Sequence, residues 1–539
     1  MGTTRSIPAR LVALCAAFSA LTLAAATAAD ACRIHDGTPR PRDETVVTIT
    51  GGDVRGAAVD GGHAFRGLPY AAPPVGELRW WAPQPPDSWQ GVRDATQYAA
   101  SCPQAPSGFA GPGPFSEDCL YLNVATPTLR RDAKRPVLVW IHGGGFTQDA
   151  SRNYDGSKLA SEGVVVVTIN YRLGALGFLS HPALAASPGD SSGNYGLMDQ
   201  QAALQWVQRN IEHFGGDRDN VTIAGQSAGG VSVLAQLVSR GSRGLFQRAI
   251  VQSGAFALNQ VPLANAEAFG HTFADSVGCS DQSADCLRHV PVDDLVAKFP
   301  GAAIPGVVDG KVLTESIGAA LAVGDFARVP VLNGINDNEE LIFVAGLHLA
   351  VSNGTFVPVP QPVNDQSYRS VIEAVVGASP ARASAIAAEY PPAAYGSAVG
   401  ALSVLTSDAN FACPALQVDH WTSRRTPTFA YQFNDDTAPQ RFAPPGALPP
   451  IATHSSEIQY LFDQPNTPVP ATLNDDQEAL AASMRTAWAN FAATGNPSSH
   501  EVPWPSFGHR ERVLSLVTPG PVVEDDFSSM HHCDFWAAR

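Results

Sequence analysis

The chain has 539 residues and a net charge of −16, from 34 Lys and Arg against 50 Asp and Glu. So acidic a surface excludes nucleic acid as the main partner, because phosphates need basic side chains. Hydrophobic residues make up 45% and charged residues 16%, which excludes a disordered chain, and the 48 Gly and 43 Pro follow no collagen-like period.

Residues 1–29 read as a secretory signal peptide. Arg5 and Arg10 give a positive start, Leu11 to Leu23 is uncharged and mostly apolar, and small residues end in Ala26-Thr27-Ala28. Removing that segment takes away two basic residues and no acidic one, so 32 face 50 and the net charge becomes −18. No other stretch approaches the 18 or more apolar residues of a membrane span. The expectation is an exported protein without stable membrane insertion, folded as a single domain over 30–539.

Eight cysteines fit an oxidising compartment. Cys15 lies in the leader. Spacing suggests local loops Cys102–Cys119 and Cys279–Cys286 and a long-range staple Cys413–Cys533, which leaves Cys32 over. The first encloses 16 residues and is worth about 3 kcal/mol of chain entropy. His531-His532-Cys533 lacks a second ligand cluster at useful spacing, so no metal is expected.

The N-terminal stretch 46–70 alternates and carries Gly51-Gly52 and Gly61-Gly62, which predicts antiparallel strands at a sheet edge. Short apolar runs follow at 137–141, 164–169, 220–224 and 249–252, with helical spacing at 199–211 and 231–238. Later strands are predicted at 330–333 and 428–433. Continuously apolar strands alternating with helices predict an α/β protein with a mostly parallel central sheet covered on both faces. Cap-like helical insertions are predicted at about 255–325 and 340–410, and a Pro-rich loop at 436–453.

Gly225-Gln226-Ser227-Ala228-Gly229 sits between a strand and a helix. A nucleophile held on that sharp turn needs small neighbours, and the helix aims its free N–H groups at the same place. A serine hydroxyl needs a base, and the base needs a carboxylate to hold its ring. In chain order the acid and then the histidine should follow later strands. Candidates are Glu339, with Glu340 and Asp337 as alternatives in the same loop, and then His454. His142-Gly143-Gly144-Gly145-Phe146 ends an early strand and suits an oxyanion loop, each donor being worth roughly 3 kcal/mol of barrier.

These segments resemble a type-B carboxylesterase/lipase, the cholinesterase-like branch of the α/β-hydrolases. The likeness covers nearly all of the chain after the leader. It runs through Phe65–Arg79 (FRGLPYAAPPVGELR), Glu117–Val124 (EDCLYLNV), Trp140–Phe146 (WIHGGGF), Gly193–Asp199 (GNYGLMD), Phe214–Asp217 (FGGD) and Gly225–Gly230 (GQSAGG). The resemblance implies Ser227 as nucleophile, Glu339 as acid and His454 as base, with oxyanion donors on Gly144, Gly145 and Ala228. It also supports the three disulfides, and it matches Ser253 to a serine that supports the triad, although a helical serine with a structural hydrogen bond reads equally well. No cofactor is implied, and the partner is a small-molecule ester.

Two features depart from the family pattern. Gln226 stands where the family commonly has Glu, which removes a negative charge, and the acid segment reads Asn338-Glu339-Glu340 rather than Asp-Glu-Gly. The Cys102–Cys119 loop carries neither a long lid, as in lipases of the family, nor the Trp with which cholinesterases hold a quaternary ammonium. The expectation is hydrolysis of short-chain or bulky uncharged esters. Lipase activity on longer acylglycerols and non-catalytic, neuroligin-like binding are the alternatives. Asn220-Val-Thr222 and Asn353-Gly-Thr355 are glycosylation sequons.

Overall fold

The computed structural model describes residues 45–185, 192–299, 306–352, 355–443 and 446–538. The leader, Cys32 and Asn353 lie outside the described residues.

Eleven strands build one sheet: β1 (Ala57–Val59), β2 (Gly62–Pro69), β3 (Tyr121–Thr126), β4 (Arg135–Ile141), β5 (Val165–Ile169), β6 (Gly216–Gln226), β7 (Arg248–Gln252), β8 (Val331–Asn336), β9 (Thr428–Phe433), β10 (Val513–Leu516) and β11 (Val522–Glu524). Their spatial order is β11-β10-β9-β8-β7-β6-β4-β5-β3-β2-β1. Pairing is parallel from β5 through β10 and antiparallel at both edges.

The parallel strands are apolar throughout because both faces are covered. In β4, Val137, Val139 and Ile141 enter one core while Leu138 and Trp140 enter another. Helices α1 (Tyr195–Asn210) and α2 (Ala228–Val238) join the first core. Helix α3 (Cys413–Ser423) also packs on that side, through Ala415, Leu416 and Val418. Helix α4 (Asp475–Thr494) covers the opposite face with Leu480, Met484 and Trp488. A capping box between Asn474 and Gln477 starts α4, and Gly495 at φ 80° ends it.

The sequence reading differs in places. The first hairpin, Val46–Ile49 with Gly52–Arg55, joins Val92–Asp94 in a separate three-stranded sheet rather than the edge of the large one. The stretch 340–410 contains helices but also an antiparallel hairpin, Leu349–Ser352 with Thr355–Pro358. The helical expectation rests on the Ala-rich composition of the stretch as a whole. The stretch 255–325 holds four helices among its described residues and a short parallel strand pair, Val261–Pro262 with Val307–Val308. The Pro-rich stretch 436–453 holds no helix or strand among its described residues.

Three disulfides link Cys102–Cys119, Cys279–Cys286 and Cys413–Cys533, as the spacing suggested. His531 and His532 bond to Asp408, Gln432 and Glu389. Among the described residues no single helix is long and apolar enough to cross a membrane.

Candidate active site

Ser227 occupies the turn between β6 and α2, at φ 58° and ψ −125°. A non-glycine residue at positive φ is strained, and the surroundings hold it there. Its N–H donates to the Gln252 carbonyl at the end of β7 (2.9 Å), and its own carbonyl accepts the first bond of α2 from Val231 (2.9 Å). A Cβ on Gly229 would lie 2.0 Å from the carbonyl oxygen of Ile141, so no side chain fits where α2 crosses β4. Ser227 is the N-cap of α2, which leaves the N–H of Ala228 in the first turn, where helical N–H groups lack intrahelical acceptors.

Glu339 and His454 approach through a backbone bridge between Asn338 and Thr453. The Asn338 N–H donates to the Ala452 carbonyl at 2.9 Å. Side by side, the two loops place Nδ1 of His454 2.5 Å from Oε2 of Glu339. Oε1 of Glu339 accepts from the Ser253 hydroxyl (2.6 Å) and from the Asn336 N–H (2.7 Å). Glu339 has no exposed surface, so this ring of donors is what makes a buried carboxylate tolerable. The rings of Phe343 and Phe411 flank the imidazole, at 5.0 and 5.5 Å between centroids.

The other two acids of the loop turn elsewhere. Glu340 accepts from the Val351 N–H at 2.9 Å, and burial pushes its carboxyl well above the usual range. Asp337 accepts from the Gln432 amide at 2.9 Å. Ser253 follows β7 in an irregular turn at φ 50°, so it is not the helical serine weighed from the sequence.

Sequence reasoning missed the contact between Gln226 and His454 and the whole role of Glu457. Nε2 of His454 lies 3.1 Å from the amide nitrogen of Gln226. Glu457, one turn beyond His454 and fully buried, accepts from Gln252 (3.1 Å) and Asn336 (2.9 Å). Burial, and secondarily the charge of Glu339, push its carboxyl up to about 7. In the sequence Glu457 looks like an ordinary surface acid; only its place three residues after His454 hinted otherwise.

Ser227, His454, Gln226, Gly144 and Gly145 line one cavity of about 340 Å³. Phe343, Leu347, Leu349 and Phe356 form an apolar wall, to which the unforeseen hairpin contributes. Phe109, from the Cys102–Cys119 loop, stacks on Phe442 at 4.3 Å, and both line the cavity. Asp149, Asn153 and Tyr154 supply a polar patch. The Asp149 carboxylate accepts from Tyr154 (2.5 Å), Asn153 (2.8 Å) and the Ala150 N–H (2.7 Å).

A doubly covered, mostly parallel sheet with a serine at its strand-to-helix turn is the α/β-hydrolase arrangement. The carboxylesterase family model matches residues 43–536, and the chain belongs to that family. It is 37% identical over 497 residues to the pyrethroid hydrolase Ces2e of Rattus norvegicus, covering 86% of this chain and 85% of that one. It is 34% identical to the para-nitrobenzyl esterase of Bacillus subtilis, covering 89% and 96%. A solved PNB esterase structure superposes with a TM-score of 0.77 at 32% identity, over 91% of this chain and 99% of that one. The fold is that of an α/β-hydrolase, and the protein is a carboxylic-ester hydrolase.

Proposed function

We propose that the enzyme works by two-step acyl transfer on Ser227. His454 takes the hydroxyl proton as Oγ attacks the ester carbonyl, and Glu339 holds the imidazole by Nδ1 and stabilises its charged form. The N–H groups of Gly144, Gly145 and Ala228 receive the oxyanion. Collapse expels the alcohol, protonated by His454, and water repeats the cycle on the acyl-enzyme. The observation that carries this reading is the 2.5 Å contact between His454 and Glu339 beside a serine on a strained strand-to-helix turn.

Residues 30–539 act as one catalytic domain, with 255–325 and 340–410 as cap-like insertions. The substrates are short-chain or bulky uncharged esters. The apolar wall and the neutral Gln226 support this choice, and the relatives named for pyrethroid and para-nitrobenzyl ester hydrolysis fit it. Three disulfides and the apolar leader support export to an oxidising compartment.

Ser227→Ala is expected to abolish turnover and fluorophosphonate labelling; retained turnover would remove Ser227 from the mechanism. Across p-nitrophenyl esters, rates should peak at short acyl chains without activation at an oil interface. A peak at long chains with interfacial activation would make the enzyme a lipase.

A further inference from the structure

The loop His142–Asp149 is bound by its carbonyls. The Tyr171 hydroxyl donates to the carbonyl of His142 at 3.0 Å and reaches that of Gly143 at 3.4 Å. Nδ1 of His142 lies 3.1 Å from the same Gly143 carbonyl, and its ring stacks on Tyr171 at 4.5 Å. The Gly144 carbonyl accepts from the N–H groups of Thr147 and Gln148, both at 3.1 Å. Tyr171 and His142 are buried, so water does not compete for these bonds.

A trans peptide is planar, and its C=O and N–H point in opposite directions. Fixing the Gly143 carbonyl toward Tyr171 and His142 therefore turns the Gly144 N–H the other way. Fixing the Gly144 carbonyl does the same for the Gly145 N–H. Both glycines line the cavity that holds Ser227. This path through the left-handed region, φ 84° at Gly144 and 60° at Gly145, leaves no room for a side chain at Gly144. A Cβ there would lie 2.1 Å from the Gln148 carbonyl oxygen and 2.8 Å from Cβ of Asp149.

We infer that Tyr171 and His142 are positioning residues that aim the Gly144 N–H at the oxyanion by holding the Gly143 carbonyl from behind. They touch neither substrate nor nucleophile. A hydrogen bond to the carbonyl of the same peptide that carries the donor N–H prepays the reorganisation that an unformed oxyanion hole would require. The inference rests on the acyl-transfer reading of this cavity.

The test is Tyr171→Phe, with His142→Leu and His142→Asn as a second pair; Asn keeps a donor where Nδ1 stood. For Tyr171→Phe and His142→Leu, kcat should fall about tenfold at unchanged KM. Affinity for a trifluoromethyl ketone, whose adduct on Ser227 carries the oxyanion, should fall in step with kcat/KM. His142→Asn should recover most of the loss. Wild-type kcat in Tyr171→Phe, or a loss confined to KM with the inhibitor still bound tightly, overturns the inference. If Tyr171→Phe does not fold, the contrast between Leu and Asn at position 142 decides it. Turnover surviving in Ser227→Ala would instead sink the acyl-transfer reading.

Discussion

The amide nitrogen of Gln226 stands 3.1 Å from Nε2 of His454, the atom that takes the Ser227 proton in the proposed mechanism. Because Nδ1 faces the Glu339 carboxylate, it carries the proton, and Nε2 presents a lone pair to the Gln226 N–H. A carboxylate in place of that amide would set a negative charge inside the cavity beside the base. Gln226→Glu should therefore raise kcat/KM for a choline thioester relative to its neutral dimethylbutyl isostere by about tenfold, the order expected of one partly screened charge pair. The measurement is the ratio of the two specificity constants. An unchanged ratio would mean that position 226 does not set charge preference.

Ser253 bears on the proposed triad from behind, through Glu339. Its hydroxyl donates to Oε1 of Glu339 at 2.6 Å, while the Asn336 amide reaches the hydroxyl at 3.3 Å. Bonds to a charged acceptor are worth about 1.5–3 kcal/mol. Ser253→Ala leaves Oε1 of Glu339 with the Asn336 donors alone, so kcat should fall about tenfold with KM unchanged. Ser253→Thr should do no better, because a β-branched residue is disfavoured at φ 50°. Steady-state kinetics on both variants check this; a fully active Ser253→Ala would reduce the bond to a structural one.

The parts of this design that are local were legible in the sequence. A strand such as Val165–Ile169 is apolar at every position because both faces are buried, and that signal needs no distant partner. The Gly225–Gly229 turn announces itself because sterics forbid larger residues. Contacts made by long-range closure were not legible. Glu339 and His454 are 115 residues apart and meet only through the Asn338–Thr453 bridge, so spacing left Glu340 and Asp337 open as alternatives. The pairing of Leu349–Ser352 with Thr355–Pro358 was missed although Asn353-Gly354 between β-formers is a hairpin signal, because the Ala-rich composition of 340–410 as a whole reads as helical. Helix α4 and strand β10 were also unread, their apolar periods being interrupted by Ala and polar residues.

Glu457 makes a prediction about pH. Its carboxyl has an ordinary value of 4.5 and is pushed up to about 7 in the folded protein. Between these values the native state holds a proton that the unfolded chain has released, so stability falls as pH rises through the window and levels off above it. The full contribution is present below pH 4.5 and is lost as pH rises through about 7. A glutamine cannot titrate. Glu457→Gln loses one acceptor for the Gln252 and Asn336 amides and should be the less stable protein at pH 5. That deficit should shrink by roughly 3 kcal/mol by pH 8. Paired thermal melts at the two values measure the change, and a deficit that stays constant with pH would show that Glu457 is ionised throughout.

The Cys413–Cys533 bridge joins residues 120 apart and pins the C-terminal segment to the start of α3. Closing so long a loop removes about 4–5 kcal/mol of unfolded-chain entropy. That segment has other anchors: Nδ1 of His531 lies 2.6 Å from Asp408, the Trp536 indole donates to the Tyr390 hydroxyl at 2.7 Å, and Arg382 lies over the Phe535 ring at 4.2 Å. They hold the segment in place once the chain has folded, but they do not restrict the unfolded ensemble. The double variant Cys413→Ser/Cys533→Ser should therefore fold and turn over ester at close to the wild-type rate at 25 °C, yet unfold at clearly lower urea. A midpoint unmoved by the double substitution would mean that the bridge adds nothing beyond those anchors. A lost kcat at full stability would instead tie the segment to the acid loop, through His531, Gln432 and Asp337.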